Sequence, residues 1–212
     1  MADFTIYIGN KNYSSWSLRG WLMLKHTGAD FAEELTPLDE ANTRTNILRH
    51  SPSGKVPALR HGDFVVWESL AIGEYLAELF PKAQFWPKGA SARAVARAAS
   101  LEMHAGFAAL RSHLPMNIRS NFPNRGVTPE VQADINRIVA LWLDCRKRFG
   151  QGGDFLFGAF GIADADLAMM LMRLIGNGER VPEKLSAFAA AVWQRPSVRA
   201  WVDRDRAPYV TY

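Results

Sequence analysis

The pattern of this chain changes character once, across the segment Pro81 to Gly89, which holds two prolines and a glycine. Breakers at that density read as a linker. Before it, short strand patterns alternate with helical ones. After it, every periodic stretch is helical. A chain divided in this way predicts an α/β layer over residues 1–80, a linker over 81–89 and an all-α unit over 90–212.

In the first unit, Phe4 to Ile8 reads as a buried strand. Ser14 and Ser15 are candidates for the cap of a helix carrying Leu18, Trp21, Leu22 and Lys25, with Gly28 as its stop. Phe31 to Leu35 is a second strand, and Glu40 to Arg49 a short polar helix. Pro57 to His61 and Phe64 to Trp67 flank Gly62-Asp63, a two-residue turn between hairpin strands. Glu68-Ser69 then opens a helix with Leu70, Ile72, Tyr75, Leu76 and Leu79. One crossover plus one hairpin predicts a mixed four-stranded sheet.

Beyond the linker, Ser91 to Leu114 predicts one long helix closed near Pro115. Thr128-Pro129-Glu130 is a helix start, with a cap, a first-turn proline and an acid at the positive helix end. That helix runs toward Gly150. Ile162 to Ile175, Pro182 to Gln194 and Pro196 to Asp203 complete an expected helical bundle.

Composition narrows the function classes. Of 212 residues, 48% are apolar and 22% charged, the balance of a folded soluble protein. The net charge of +4 suits an anionic ligand. It does not predict nucleic-acid binding, because the densest basic run, Arg199 to Arg206, contains Asp203 and Asp205 and reads as a solvated segment. The one cysteine, Cys145, lies in a helical stretch and predicts a half-buried structural thiol, with no internal disulfide and no cysteine-based metal site. The start, Met-Ala-Asp-Phe, lacks a signal-peptide pattern, and no window is apolar enough to span a membrane. The expected location is the cytoplasm. Seven Trp and seven Met read as core.

Three short segments could carry chemistry, and each also has a purely structural reading. Tyr13-Ser14-Ser15-Trp16-Ser17 either caps a helix or holds a hydroxyl where the helix dipole favours an anion, such as a bound thiolate. A hydroxyl donating to that sulfur favours its ionised form. Gly54-Lys55-Val56-Pro57 is either a turn feeding a strand, or an edge where an extended peptide pairs with Val56, across a prolyl bond that tolerates cis. Glu68-Ser69 is either a cap, or a site where helix N–H groups and the Ser69 hydroxyl take a carboxylate while Glu68 takes an ammonium. Adjacent amino and carboxylate groups are what a γ-glutamyl end presents.

In this order, the segments resemble the cytosolic glutathione transferase family over essentially the whole length. Ser14-Ser15-Trp16-Ser17-Leu18-Arg19 is similar to the serine motif of the zeta class, with Trp16 in place of cysteine. Val56-Pro57 matches the family's cis-proline element and Glu68-Ser69 its γ-glutamyl contact pair. Lys55 falls where the family often faces the glycyl carboxylate. The resemblance implies a thioredoxin-like first domain and glutathione as co-substrate. It implies Ser14 or Ser15 at the thiol, a homodimer, and no metal. Gly161-Ile162-Ala163-Asp164 resembles the family's helix-capping box, which makes Asp164 structural. The family's long helix lines the acceptor pocket, which makes Met103, Phe107 and Arg111 pocket candidates. These share a helix face with His104, and the same face also suits core packing plus a solvated arginine. Tyr13 and Arg173 are further pocket candidates. Arg173, a charge inside Met169 to Leu174, needs a partner or a cleft.

The expected activity is conjugation of glutathione to small apolar electrophiles. A glutathione-dependent isomerase of the maleylacetoacetate type, a peroxidase or a reductive lyase would use the same fold. A non-catalytic glutathione-binding scaffold is the alternative of another class.

Overall fold

Two parallel neighbouring strands need a crossover long enough to hold a helix, and the first 35 residues supply one. In the computed structural model, which describes residues 3–119, 127–179 and 181–202, β1 (Phe4–Ile8) leads into α1 (Ser15–His26) and returns as β2 (Phe31–Leu35). Phe4 pairs with Phe31 and Ile8 with Leu35, in parallel. Gly28, at φ 77°, makes the left-handed turn after α1 that a side chain would resist. A short α2 (Thr43–Leu48) follows, then β3 (Ala58–His61) and β4 (Phe64–Trp67), turned at Gly62 with φ 57°. β3 runs antiparallel to β1 and β4 antiparallel to β3, so the sheet order is β2-β1-β3-β4. α3 (Ser69–Leu79) packs against α1. The central strand β1 is buried along its whole length, as a strand between two neighbours and beneath helices should be.

A 3-10 turn at Pro81–Ala83 starts the connection to the helical part: α4 (Ala90–Ala105), α5 (Ala108–His113), α6 (Pro129–Phe149), α7 (Ile162–Gly176), α8 (Ser186–Gln194) and α9 (Pro196–Val202). α7 is buried from Ile162 through Leu174. A helix apolar on all sides belongs at the centre of a bundle. α7 touches α1 and α3 of the first half and α4 and α8 of the helical half. Thr128 caps α6 by accepting from the Val131 N–H at 3.3 Å, as its sequence predicts.

The single helix predicted over Ser91 to Leu114 is two helices. At Gly106 the backbone is extended, and at Phe107 it is left-handed with φ 56°. A glycine in the run was available as a break signal. What uses the break is tertiary: Phe107 buries its ring, and the Leu110 N–H reaches the Asp134 carboxylate of α6 at 2.9 Å. The helix predicted over Glu40 to Arg49 starts later, at Thr43. The Thr43 hydroxyl accepts from the Glu40 N–H and donates to the Pro37 carbonyl, which fixes a turn ahead of it. Cys145 is fully buried rather than half-buried. Asp203, Asp205 and Arg206 of the basic run, and the last residue of the predicted Pro196 to Asp203 helix, lie outside the described residues.

The two halves are tied by buried polar contacts. Arg19 of α1 meets Asp166 of α7 at 2.7 Å, with neither side chain exposed. The Trp201 indole of α9 donates to the Lys11 carbonyl at 2.9 Å. Among the described residues, no helix is long and apolar enough to cross a membrane.

Candidate functional site

The loop after β1 is pinned before it reaches α1. The Asn10 side chain accepts from the Leu38 N–H at 2.7 Å, and the Asn10 carbonyl accepts from the Ser14 N–H at 2.8 Å. Ser14 occupies the position preceding α1, as predicted, yet its side chain makes no capping hydrogen bond. Its hydroxyl instead donates to the Ser17 hydroxyl at 2.8 Å, which also accepts from the Gly9 N–H at 2.9 Å. The adjacent Ser15 hydroxyl points elsewhere and accepts from Arg173 at 3.1 Å.

Ser14 lines a cavity of about 520 Å³. Trp16 lines it from α1, Leu38 from the loop before α2, and Thr43 and Ile47 from one face of α2. Ser53, Gly54, Lys55, Val56 and Pro57 form the opposite rim, followed by Glu68, and His104 reaches in from α4. The Val56–Pro57 bond is cis. Val56 has no main-chain hydrogen bond among the described residues, which leaves its N–H and C=O available to a ligand. Glu68 sits at φ 72°, a conformation uncommon outside glycine. Neither Glu68 nor Ser69 caps α3 with its side chain. The Ser69 hydroxyl is fully buried and unpartnered among the described residues. The Glu68 carboxylate, 47% exposed, has His104 Nε2 3.4 Å away. Backbone held in an uncommon region at a cavity edge is a recurrent mark of functional sites.

Seven of the sequence-predicted site residues do not line this cavity: Ser15, Ser69 and the five acceptor-pocket candidates. Tyr13 belongs to the loop, where its carbonyl accepts from the Ser15 N–H at 2.9 Å. Met103 is fully buried in the core, and Phe107 is buried with it. Arg111 donates to the His104 carbonyl at 3.1 Å, and its guanidinium lies 5.6 Å from the Trp16 ring. Burial, then the neighbouring Arg19 charge, holds its pKa below the usual arginine value. Arg173 donates to the Arg111 and Leu114 carbonyls at 2.9 and 2.8 Å, satisfying the end of α5, and to Ser15. Burial, then Arg111, lowers it to about 10. Arg173 has found a partner rather than a cleft. The side on which the sequence predicts Met103 and Phe107 to open a pocket meets the core instead.

Trp16, Leu38, Thr43, Ile47, Ser53, Gly54 and His104 complete the lining without having been singled out for it. Thr43 and Ile47 stand four apart on a helix, a spacing that was legible. Leu38 carries no sequence signal. Asp164 is structural, as expected. Its carboxylate accepts from the Leu156 and Gly161 N–H groups at 2.8 and 2.9 Å, and burial pushes it up to about 7 against those bonds. A smaller cavity of about 170 Å³ lies beside it, lined by Phe85, Trp86 and Phe157 among others. Asp164 is already committed to the backbone there. No group of three or more metal-ligating side chains occurs among the described residues.

Comparison with known proteins places these features in context. The glutathione S-transferase N-terminal domain family matches residues 13–79, and the glutathione S-transferase C-terminal domain family matches residues 90–205. "Glutathione S-transferase 1" of Dianthus caryophyllus is 36% identical over 91 residues, 42% of this chain and 40% of that protein. A "probable maleylacetoacetate isomerase" of Caenorhabditis elegans is 35% identical over 98 residues, 46% of this chain and 45% of that protein. The matches to these two curated relatives thus span less than half of their lengths. Among solved structures, a glutathione transferase homolog from Burkholderia gl BGR1, with bound glutathione, superposes with a TM-score of 0.72 at 27% identity, covering 96% of this chain and 98% of that one.

Proposed function

This chain belongs to the glutathione S-transferase family, and from that premise we propose that it conjugates glutathione to small apolar electrophiles with Ser14 at the sulfur. The observation that carries the reading is convergence. Three segments far apart in sequence, at Ser14, Val56-Pro57 and Glu68, line one cavity. In this reading residues 1–80 are the glutathione-binding domain, 81–89 the linker, and 90–212 the domain that meets the electrophile.

Glutathione lies extended along Val56, whose N–H and C=O pair with its peptide groups. Its γ-glutamyl ammonium meets Glu68, and its α-carboxylate meets the N–H groups at the α3 N-terminus, toward which the buried, unpartnered Ser69 hydroxyl turns to donate. Lys55 faces the glycyl carboxylate. The sulfur then lies at Ser14. A hydroxyl has one proton and two lone pairs. When Ser17 turns to donate to Ser14, the Ser14 proton is free for sulfur, and the Gly9 N–H keeps Ser17 in place. The α1 N-terminus adds a positive field, so the thiol loses its proton to solvent more readily. The thiolate lone pair forms the new S–C bond, and the displaced electron pair leaves with the electrophile's leaving group or takes up a proton. Orientation supplies most of the remaining rate.

Ser14 is favoured over Ser15 because the Ser15 hydroxyl is engaged by Arg173. An isomerase of dicarboxylates is disfavoured. Trp16 replaces the cysteine of the zeta motif, and Arg173 is buried away from the cavity. A homodimer and a cytoplasmic location belong to the same reading.

The test is calorimetric titration of glutathione followed by turnover with a panel of aryl halides, epoxides and hydroperoxides. Binding with conjugation supports the reading. Binding without turnover on any member assigns the scaffold alternative, and no binding overturns both.

A further inference from the structure

Among the described lining residues, His104 is the one that comes from the helical half of the chain. Its Nε2 stands 3.4 Å from Glu68 Oε2, across the junction of the two halves. The Glu68 carboxylate has no other side-chain partner among the described residues, and it does not cap α3. The imidazole packs against α1, meeting the Trp16 ring edge-on at 5.0 Å and 72°, and its Nδ1 is buried with no partner among the described residues. A half-exposed carboxylate at the edge of the cavity therefore has one side-chain neighbour among the described residues, and that neighbour is an imidazole.

Resting on the reading of Glu68 as the ammonium acceptor, we infer that His104 is a positioning residue that makes glutathione affinity depend on pH. As neutral imidazole, its Nε2–H holds the Glu68 carboxylate in line with the γ-glutamyl ammonium. As imidazolium, it pairs with Glu68 and competes with that ammonium for the same oxygens. The charged groups around the ring are Glu68 from the β4–α3 corner, Asp166 from α7, Arg19 from α1 behind Trp16, and Arg111 from α5. Of these, Asp166 is paired with Arg19 at 2.7 Å, so neither of the two is free to pair with the imidazole. Glutathione keeps its ammonium and both carboxylates in their charged forms between about pH 5.5 and 7.5, so the ligand does not supply the dependence.

The test is calorimetric binding of glutathione to the full chain across that window, for the unaltered protein, His104→Ala, His104→Gln and Glu68→Gln. The unaltered protein should bind about two- to fivefold more weakly at the acid end, the factor an exposed ion pair supplies. His104→Ala should bind more weakly at the upper end, and His104→Gln, which keeps an N–H donor, should recover that loss and show a flat profile. A His104→Gln profile as steep as that of the unaltered protein would overturn the inference, as would a flat profile in the unaltered protein. Weakened binding in Glu68→Gln together with either of those results sinks the role of His104 and leaves Glu68 as the ammonium site. No change in Glu68→Gln removes the premise, and the inference with it.

Discussion

Asp166→Asn should be among the most damaging single changes that this fold can receive. Arg19 and Asp166 face each other at 2.7 Å with no exposure on either side chain. Arg19 Nη1 and Nη2 and Asp166 Oδ2 have no hydrogen-bond partner among the described residues. Burial pushes the Asp166 carboxyl up against the pull of Arg19. Losing the carboxylate leaves a guanidinium without solvent or counter-charge. Its other contact is the Trp16 ring at 4.4 Å, worth about 0.5–2 kcal/mol. Breaking a buried pair from one side costs about 3–5 kcal/mol. The asparagine oxygen can still accept from Arg19 Nε, so the lower end of that range is expected, about 3 kcal/mol. Replacing both partners, in Arg19→Met with Asp166→Leu, removes the stranded charge and should recover to within about 1 kcal/mol of the unaltered protein. The assay is urea unfolding of Asp166→Asn and of the four members of the cycle (the unaltered protein, Arg19→Met, Asp166→Leu and the double variant), with the midpoint moving at constant slope. The reasoning fails if Asp166→Asn loses less than about 1 kcal/mol, or if the double variant loses the sum of the singles.

Cys145 is pushed up to about 11 by burial, then by Asp144. It should resist alkylation in the native protein near pH 8 and react once urea unfolds the chain. Because the native thiol ionises at higher pH than the unfolded one, stability should decline as pH rises from about 9 toward 11, and Cys145→Ala should flatten that part of the slope. Glu68→Gly relieves the positive φ and should raise stability by about 1 kcal/mol while weakening glutathione binding, read by unfolding and by calorimetry on the same sample. Gly161→Ala should cost about 1–3 kcal/mol in unfolding experiments, because a Cβ there runs into the Phe85 carbonyl, backbone that cannot step aside.

The parts of the site legible in the sequence were those built on backbone punctuation. The prolyl bond at Val56-Pro57, the helix start at Glu68-Ser69 and the serines ahead of α1 each need particular residues at particular places. Local chemistry therefore reveals them. The sheet was legible for the same reason: Gly28 and Gly62 sit where left-handed turns require them. The helical half was less legible because a helix face does not say what covers it. Met103, His104 and Phe107 read as one helix face in sequence, but Met103 sits one residue, about 100° around α4, from His104 and faces the core, and the break at Gly106 turns Phe107 into the core as well, while His104 faces the cavity. Arg173 looked like a charge in search of a ligand. The carbonyls it satisfies belong to α5, whose existence depends on that same break. Leu38 lines the cavity through loop geometry alone, and no periodicity encodes a loop.

The central claim is that Ser14, and not its neighbour, stabilises the glutathione thiolate. It is tested most directly by titrating the thiolate absorbance of bound glutathione in the unaltered protein, Ser14→Ala and Ser15→Ala. A hydrogen bond to a charged group is worth about 1.5–3 kcal/mol, so Ser14→Ala should raise the pKa of the bound thiol by about 1–2. Ser15→Ala should leave that pKa where it is. A rise in Ser15→Ala with none in Ser14→Ala would contradict the account, and equal values in all three proteins would remove the serine from the chemistry.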